Sequence, residues 1–206
     1  MTGVSGKQTV AVAAAAVMAA TVVSKVLGFG REAALAAVFG ASRATDAYLV
    51  ATVIPTLLFG AVGAAITTVG IPVVSEYLHR EEKRPHLVAL VWSSFHVVAM
   101  LLLVVCLGVL PFSPWLVRLL APGFDPDQAA LTAELVRVML PATLFMGLAG
   151  WAQGVLNAHK HFLVPAAVGI PYNIILISAI FLSGAFWGIA GVAWAACLWQ
   201  WVFVIK

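Results

Sequence analysis

Charge is what this sequence has least of. Only 9% of its 206 residues are Asp, Glu, Lys or Arg, against 63% hydrophobic, where a soluble domain carries about a quarter charged residues. Mean hydropathy is +1.07, and the apolar runs reach the roughly 20 residues that a helix needs to cross a bilayer. These features exclude a water-soluble globular domain and identify an integral membrane protein. The formal net charge of +3 is small and its cations are dispersed, so no basic block offers a surface to nucleic acid. Cysteine is scarce too. Cys106 and Cys197 both lie inside apolar runs, where a thiol behaves as a small hydrophobe rather than as a disulfide or metal ligand. The sequence also lacks a Gly-rich phosphate loop, an H-E-x-x-H pair and paired carboxylates on a helix face. An enzyme is therefore not expected, and no cofactor or metal.

What is present divides into six apolar spans, at about 9–27, 47–76, 87–110, 128–156, 162–182 and 187–205. Lys7 before an Ala/Val-rich run has the look of a signal peptide, but the run continues to Leu27 and leads directly into a charged segment, so it is read as a retained first helix. Pro55, Pro72 and Pro141 fall inside spans two and four, where a kink is expected. Residues 111–123 read as a short interfacial helix carrying Trp115 and Arg118 at headgroup level. With the N-terminus inside, one side of the membrane holds six cations (Lys7, Arg80, Lys83, Arg84, Lys160, Lys206) and the other three (Arg31, Arg43, Arg118). That bias predicts a cytoplasmic N-terminus and an even number of crossings. Gly60, Gly63, Gly70, Gly147 and Gly150 supply small faces for close helix packing.

The stretch from Ser24 to Tyr48 breaks the rule of scarce charge, placing Lys25, Arg31, Glu32, Arg43 and Asp46 between two apolar spans. Ionisable groups at membrane depth are costly and face one another or a water-filled cavity, so function is sought here. Arginine suits a phosphate-bearing substrate because its planar fork donates paired, charge-assisted hydrogen bonds. Lys25 and Arg31 are six positions apart, about 600° around a continuous helix and some 120° from a common face. A break at Gly28 or Gly30 would turn both toward one cavity. Each residue also has a plainer reading. Arg31 and Glu32 are also what the solvated end of span one would carry, Asp46 what the N-cap of span two would be, and Arg43 a loop residue near the headgroups. His96 is read as an intramembrane histidine held by hydrogen bonds, and Glu134 with Arg137 as an i,i+3 pair.

The motifs Ser24-Lys25-Val26-Leu27-Gly28-Phe29-Gly30-Arg31-Glu32, Phe39-Gly40-Ala41-Ser42, Thr45-Asp46-Ala47-Tyr48 and Ile54-Pro55 resemble the opening of the MurJ/MviN lipid II flippases. Gly154-Val155-Leu156-Asn157, with Phe162, Pro165, Pro171 and Asn173, follows in the family's order and spacing. The resemblance implies an all-α polytopic membrane protein whose 206 residues form one six-helix lobe, the N-terminal one, of a two-lobed flippase in the multidrug/oligosaccharidyl-lipid/polysaccharide exporter superfamily. It implies a bacterial cytoplasmic membrane location and lipid II, or a related polyprenyl-pyrophosphate-linked sugar, as the substrate moved by alternating access. A missing C-terminal lobe or a second chain would be the partner, and an ion gradient or the membrane potential the drive. Its substrate-binding residues fall on Lys25, Arg31 and Asp46, with Ser24 opening the motif. The sequence departs from the family at Thr56, where an Asn is usual, and at Phe59 and Gly60, where a basic pair is common. The alternatives are a polysaccharide or multidrug exporter of the same superfamily, and a non-transporting membrane scaffold.

Overall fold

The computed structural model describes residues 3–65, 71–79, 85–159 and 161–205. Arg80, Lys83, Arg84, Lys160 and Lys206, which supply most of the inner-side charge count, lie outside the described residues, as does Gly70. The described chain runs α1 (Gly3–Phe39), α2 (Arg43–Ala65), α3 (Ile71–His79), α4 (Leu87–Val109), a 3-10 turn (Leu110–Phe112), α5 (Ser113–Leu120), α6 (Pro126–Ala158), α7 (Leu163–Ala167), α8 (Gly169–Phe186) and α9 (Gly188–Ile205).

Among the described residues, five segments are long and apolar enough to cross a membrane: Ala11–Phe39, Arg43–Ala61, Leu87–Leu120, Pro126–Ala158 and Leu163–Ser183. The 18-residue α9 stands in the place of the sixth expected span. The boundaries differ from expectation mainly around the charged segment. The first helix does not end near Leu27 but continues to Phe39, so Arg31 and Glu32 are internal to it rather than at its solvated end. It is also unbroken at Gly28 and Gly30. Positive φ occurs, among the described residues, at Gly40, which follows α1, and at Gly188, which opens α9 after α8, where a left-handed residue ends or redirects a helix. The span expected over 47–76 is described as two helices, α2 and α3, and begins four residues early, at Arg43. The 111–123 segment is a 3-10 turn followed by α5.

Helix α6 is the post on which the others lean. Asp125 caps it by accepting the Gln128 N–H at 2.9 Å, and Pro126 takes the first position, where a missing donor costs nothing. Helices α2, α4, α5 and α9 all pack on α6, α8 packs on α9, and α1 packs on α7 and α8 while barely touching α2. The core is built from the α2 stripe Ala47, Ala51 and Ile54, from Val136, Met139 and Leu140 of α6, and from Ile180, Val192 and Ala193. Val12, Met18, Val22, Val26 and Phe29 leave the remaining faces of α1 apolar and exposed, as expected of a helix surrounded by lipid or by another lobe.

Small residues set the closest approaches. A Cβ built on Gly147 of α6 would run into the side chain of the fully buried Leu102 on α4. Gly147→Ala is therefore expected to lower stability by about 1–3 kcal/mol through overpacking, and Leu102→Ala in the same chain to recover part of it. Thermal unfolding of the purified protein in detergent checks this, and an unchanged midpoint for Gly147→Ala would show that α4 and α6 are not so close.

Candidate functional site

Because α1 leans on α8 while α2 leans on α6, the two helices that carry the charged segment diverge. Between them lies a cavity of about 160 Å³, closed at the back by α6, α8 and α9, with room for several water molecules. Arg31 and Glu32 of α1 reach it, as do Tyr48, Thr52 and Thr56 of α2 and Tyr172 of α8; Met139, Ala142 and Ile180 form an apolar wall. Phe39 ends α1 eight residues after Arg31, which puts the guanidinium's backbone about 12 Å inside the helix end.

The Arg31 side chain is 29% exposed. Its Nη2 donates to Oε1 of Glu32 at 2.5 Å, and its Cζ lies 5.9 Å from the centre of the Tyr172 ring, within range of a cation–π attraction. Tyr48 is buried beside it. One cation is thus held against an adjacent carboxylate and an aromatic face, with one side open to the cavity. Because one side of the guanidinium stays open to the cavity, an incoming anion can compete with Glu32 for it.

The other expected site residues are placed elsewhere. Lys25 is exposed and does not line the cavity, and since α1 is continuous the 120° between it and Arg31 is not removed. It forms no ion pair among the described residues. The side chain of Ser24 packs toward α8, where a Cβ on Gly169 would collide with its hydroxyl. Nearby, the Asn173 amide donates to the carbonyls of Ser24 at 3.2 Å and Gly169 at 2.8 Å. Gly28 lies under the same amide, its built Cβ 3.8 Å from Asn173 Nδ2. The motif's small residues thus join α1 to α8. Asp46 is exposed one turn into α2 and does not cap it. Ser42 does, its hydroxyl accepting the Thr45 N–H at 3.3 Å, while Thr45 donates back to the Gly40 carbonyl at 2.9 Å. Arg43, expected in a loop, is instead the first residue of α2 and joins the starts of two helices by pairing with Asp125 at 2.7 Å. Phe59 lays its ring against Gly150, 3.0 Å from a built Cβ. His96 sits on an exposed face with Nδ1 2.7 Å from the Trp92 carbonyl.

Tyr48 and Tyr172 were not singled out for the site by sequence reasoning. Tyr48 was quoted only within the T-D-A-Y motif, and the Pro171-Tyr172-Asn173 triplet offered the one signal for Tyr172, an aromatic beside two residues of the motif. Expected accessibility follows from this geometry. In a chain with Cys106 and Cys197 replaced by Ala, a cysteine at Arg31 or Thr56 should react with a charged, water-soluble thiol reagent, and one at the fully buried Val136 should not. Equal protection at all three would show that water does not enter between α1 and α2.

Comparison with known proteins agrees with this architecture. The family model described as "Lipid II flippase MurJ" matches residues 35–205. A "Lipid II flippase MurJ" of Burkholderia cenocepacia is 34% identical over 163 residues, covering 77% of this chain and 31% of that protein. A "Probable lipid II flippase MurJ" of Buchnera aphidicola is 30% identical over 184 residues, covering 86% and 35%. The solved structure "Lipid II flippase MurJ, inward closed conformation" superposes with a TM-score of 0.74 at 25% identity, over 92% of this chain and 41% of that one. The chain spans about a third of the length of these curated relatives.

Proposed function

This chain belongs to the lipid II flippase MurJ family, and from that premise we propose that it forms the N-terminal lobe of a flippase that carries lipid II across the bacterial cytoplasmic membrane, with its own N-terminus on the cytoplasmic side. The observation that carries the proposal is Arg31, a half-buried guanidinium in a cavity between two diverging membrane helices. A lipid-linked sugar pyrophosphate brings about two negative charges into the membrane, and an arginine fork meets phosphate oxygens with paired, charge-assisted hydrogen bonds. Without substrate, Glu32 and the Tyr172 ring balance the guanidinium. With substrate, the pyrophosphate takes the place of Glu32. Alternating access then requires a second lobe, from the same polypeptide or from another chain, to close over the face that α1 and α2 leave open. No bond is made or broken.

Lys25 and Asp46 have subsidiary parts in this proposal. Lys25, exposed on α1, completes the grip from the surface that a second lobe would cover. Asp46, near the start of α2, faces the polar end of the path. Ser24 acts as a packing residue that fixes where α1 presents Arg31.

Arg31→Ala is expected to reduce lipid II translocation at least tenfold in cells that depend on this protein, with membrane insertion and thermal stability unchanged. Arg31→Lys, which keeps the charge but not the fork, should fall between the two. Full translocation by Arg31→Ala would remove Arg31 from the mechanism and favour a scaffold. Loss of translocation together with loss of folding would assign Arg31 to structure instead.

A further inference from the structure

A second polar groove, unconnected with the lipid II site, lies between α5 and α6. Its volume is about 560 Å³, and Pro114 and Arg118 of α5, Phe124, and Ala130, Glu134 and Arg137 of α6 line it. The two helices meet along matching stripes, Pro114 and Arg118 one turn apart on α5 and Ala130, Glu134 and Arg137 three to four apart on α6. Ser113 and Val117 are fully buried and anchor α5. Trp115, Leu119 and Leu120 are exposed on its other face, the arrangement of a helix that lies in the membrane interface.

The depth of the groove suits a headgroup. Helix α6 has 33 residues, about 50 Å, against a hydrocarbon layer of about 30 Å, so each end projects roughly 10 Å beyond it. Glu134 and Arg137 lie eight and eleven residues after Pro126, about 12 and 16 Å along the axis, so their backbone sits roughly 2 and 6 Å inside the hydrocarbon edge, and side chains that lean toward the helix N-terminus reach the headgroups from there. Both are exposed, and charged groups at that depth require a partner. The expected Glu134–Arg137 pair does not form. Instead Arg137 donates from Nε to Ser113 Oγ at 3.1 Å, and its terminal nitrogens have no ion-pair partner among the described residues. Arg118 is exposed and is likewise without one.

We propose that this groove binds an anionic glycerophospholipid, its phosphate between Arg118 and Arg137 and its acyl chains along the apolar wall by Phe124. Two guanidinium groups and one carboxylate give the groove a net charge of +1, which favours an anionic headgroup over a zwitterionic one. Bound there, the lipid fastens α5 to α6 at the membrane surface.

Native mass spectrometry of the full-length protein, titrated in detergent with phosphatidylglycerol, phosphatidylethanolamine or inorganic phosphate, tests the proposal. Phosphatidylglycerol adducts should exceed phosphatidylethanolamine adducts severalfold, with phosphate alone giving none. Each arginine near the surface contributes about fivefold, so Arg118→Gln with Arg137→Gln should lower phosphatidylglycerol retention by about 25-fold. Glu134→Gln, which removes the opposing charge and is not expected to disturb folding, should raise it. Equal retention of the two lipids, or phosphatidylglycerol retention that Glu134→Gln leaves unchanged or lowers, would overturn the site. Adducts that persist in the double arginine variant would place the lipid elsewhere on the surface.

Discussion

A guanidinium about 12 Å inside an apolar helix cannot face hydrocarbon without a cost of several kcal/mol, and the local architecture around Arg31 answers that constraint. Water must reach the residue, so the helix that carries it cannot pack along its whole length against the next helix in sequence. Helix α1 is instead held by α8, through Ser24 on Gly169 and Asn173 beneath Gly28, while α2 is held by α6 through Ala47, Ala51 and Ile54. The cavity is the space left by that division of partners. Its polar lining, Glu32, Tyr48, Thr52 and Tyr172, supplies the counter-charge and ring face that make a buried cation tolerable, and none of them neutralises it for good.

The same division explains the role of the small residues. Membrane helices gain no hydrophobic driving force from one another and must be drawn together by close packing and by interhelical hydrogen bonds. Gly147 under Leu102, Gly169 under Ser24 and Gly191 under Ser183 are the places where a side chain of one helix reaches the backbone of another. Among the described residues, hydrogen bonds between helices include Asn173 to the Ser24 carbonyl, Gln128 to the Arg43 carbonyl, Arg137 to Ser113, and Trp151 to Ser94 at 3.2 Å.

Where the helices lie was legible in the sequence, because membrane insertion reads hydropathy over a local window. Spans three to six were located to within a few residues, and Pro126 with Asp125 marks the start of α6 as capping chemistry predicts. Arg31 stood out for the same local reason, a charge in an apolar run. Most of what failed, the Asp46 cap excepted, depended on partners far away in sequence. Gly28 and Gly30 suggest a break, but Asn173 and Ile177 of α8 lie against them and the helix continues. Asp46 is a fitting cap by residue type, yet Ser42 lies closer to the first turn and takes the position. Glu134 and Arg137 have the spacing of an ion pair, and Ser113, 24 positions away, claims the arginine. Tyr48 and Tyr172 carry no local mark of their role, since Tyr172 meets Arg31 only once α8 is docked on α1 and Tyr48 only once α2 is set across the cavity from α1.

Charge arithmetic bears on how such a site would work. The first cavity contains one guanidinium and one carboxylate, a net charge of zero, whereas a pyrophosphate brings about two negative charges. Positions 59 and 60 add no cation, because Phe59 is packed on Gly150 and Gly60 has no side chain. On the proposed reading, this lobe can orient the pyrophosphate through Arg31 but cannot neutralise it. The balance must come from Lys25 turned inward by a second lobe, from cations on that lobe, or from a proton or metal ion that travels with the substrate. The first two sources make binding depend on closure, since their positive charge arrives only when the lobes come together. A weak grip in the open state is then an advantage, because the site releases its cargo on whichever side the lobes part.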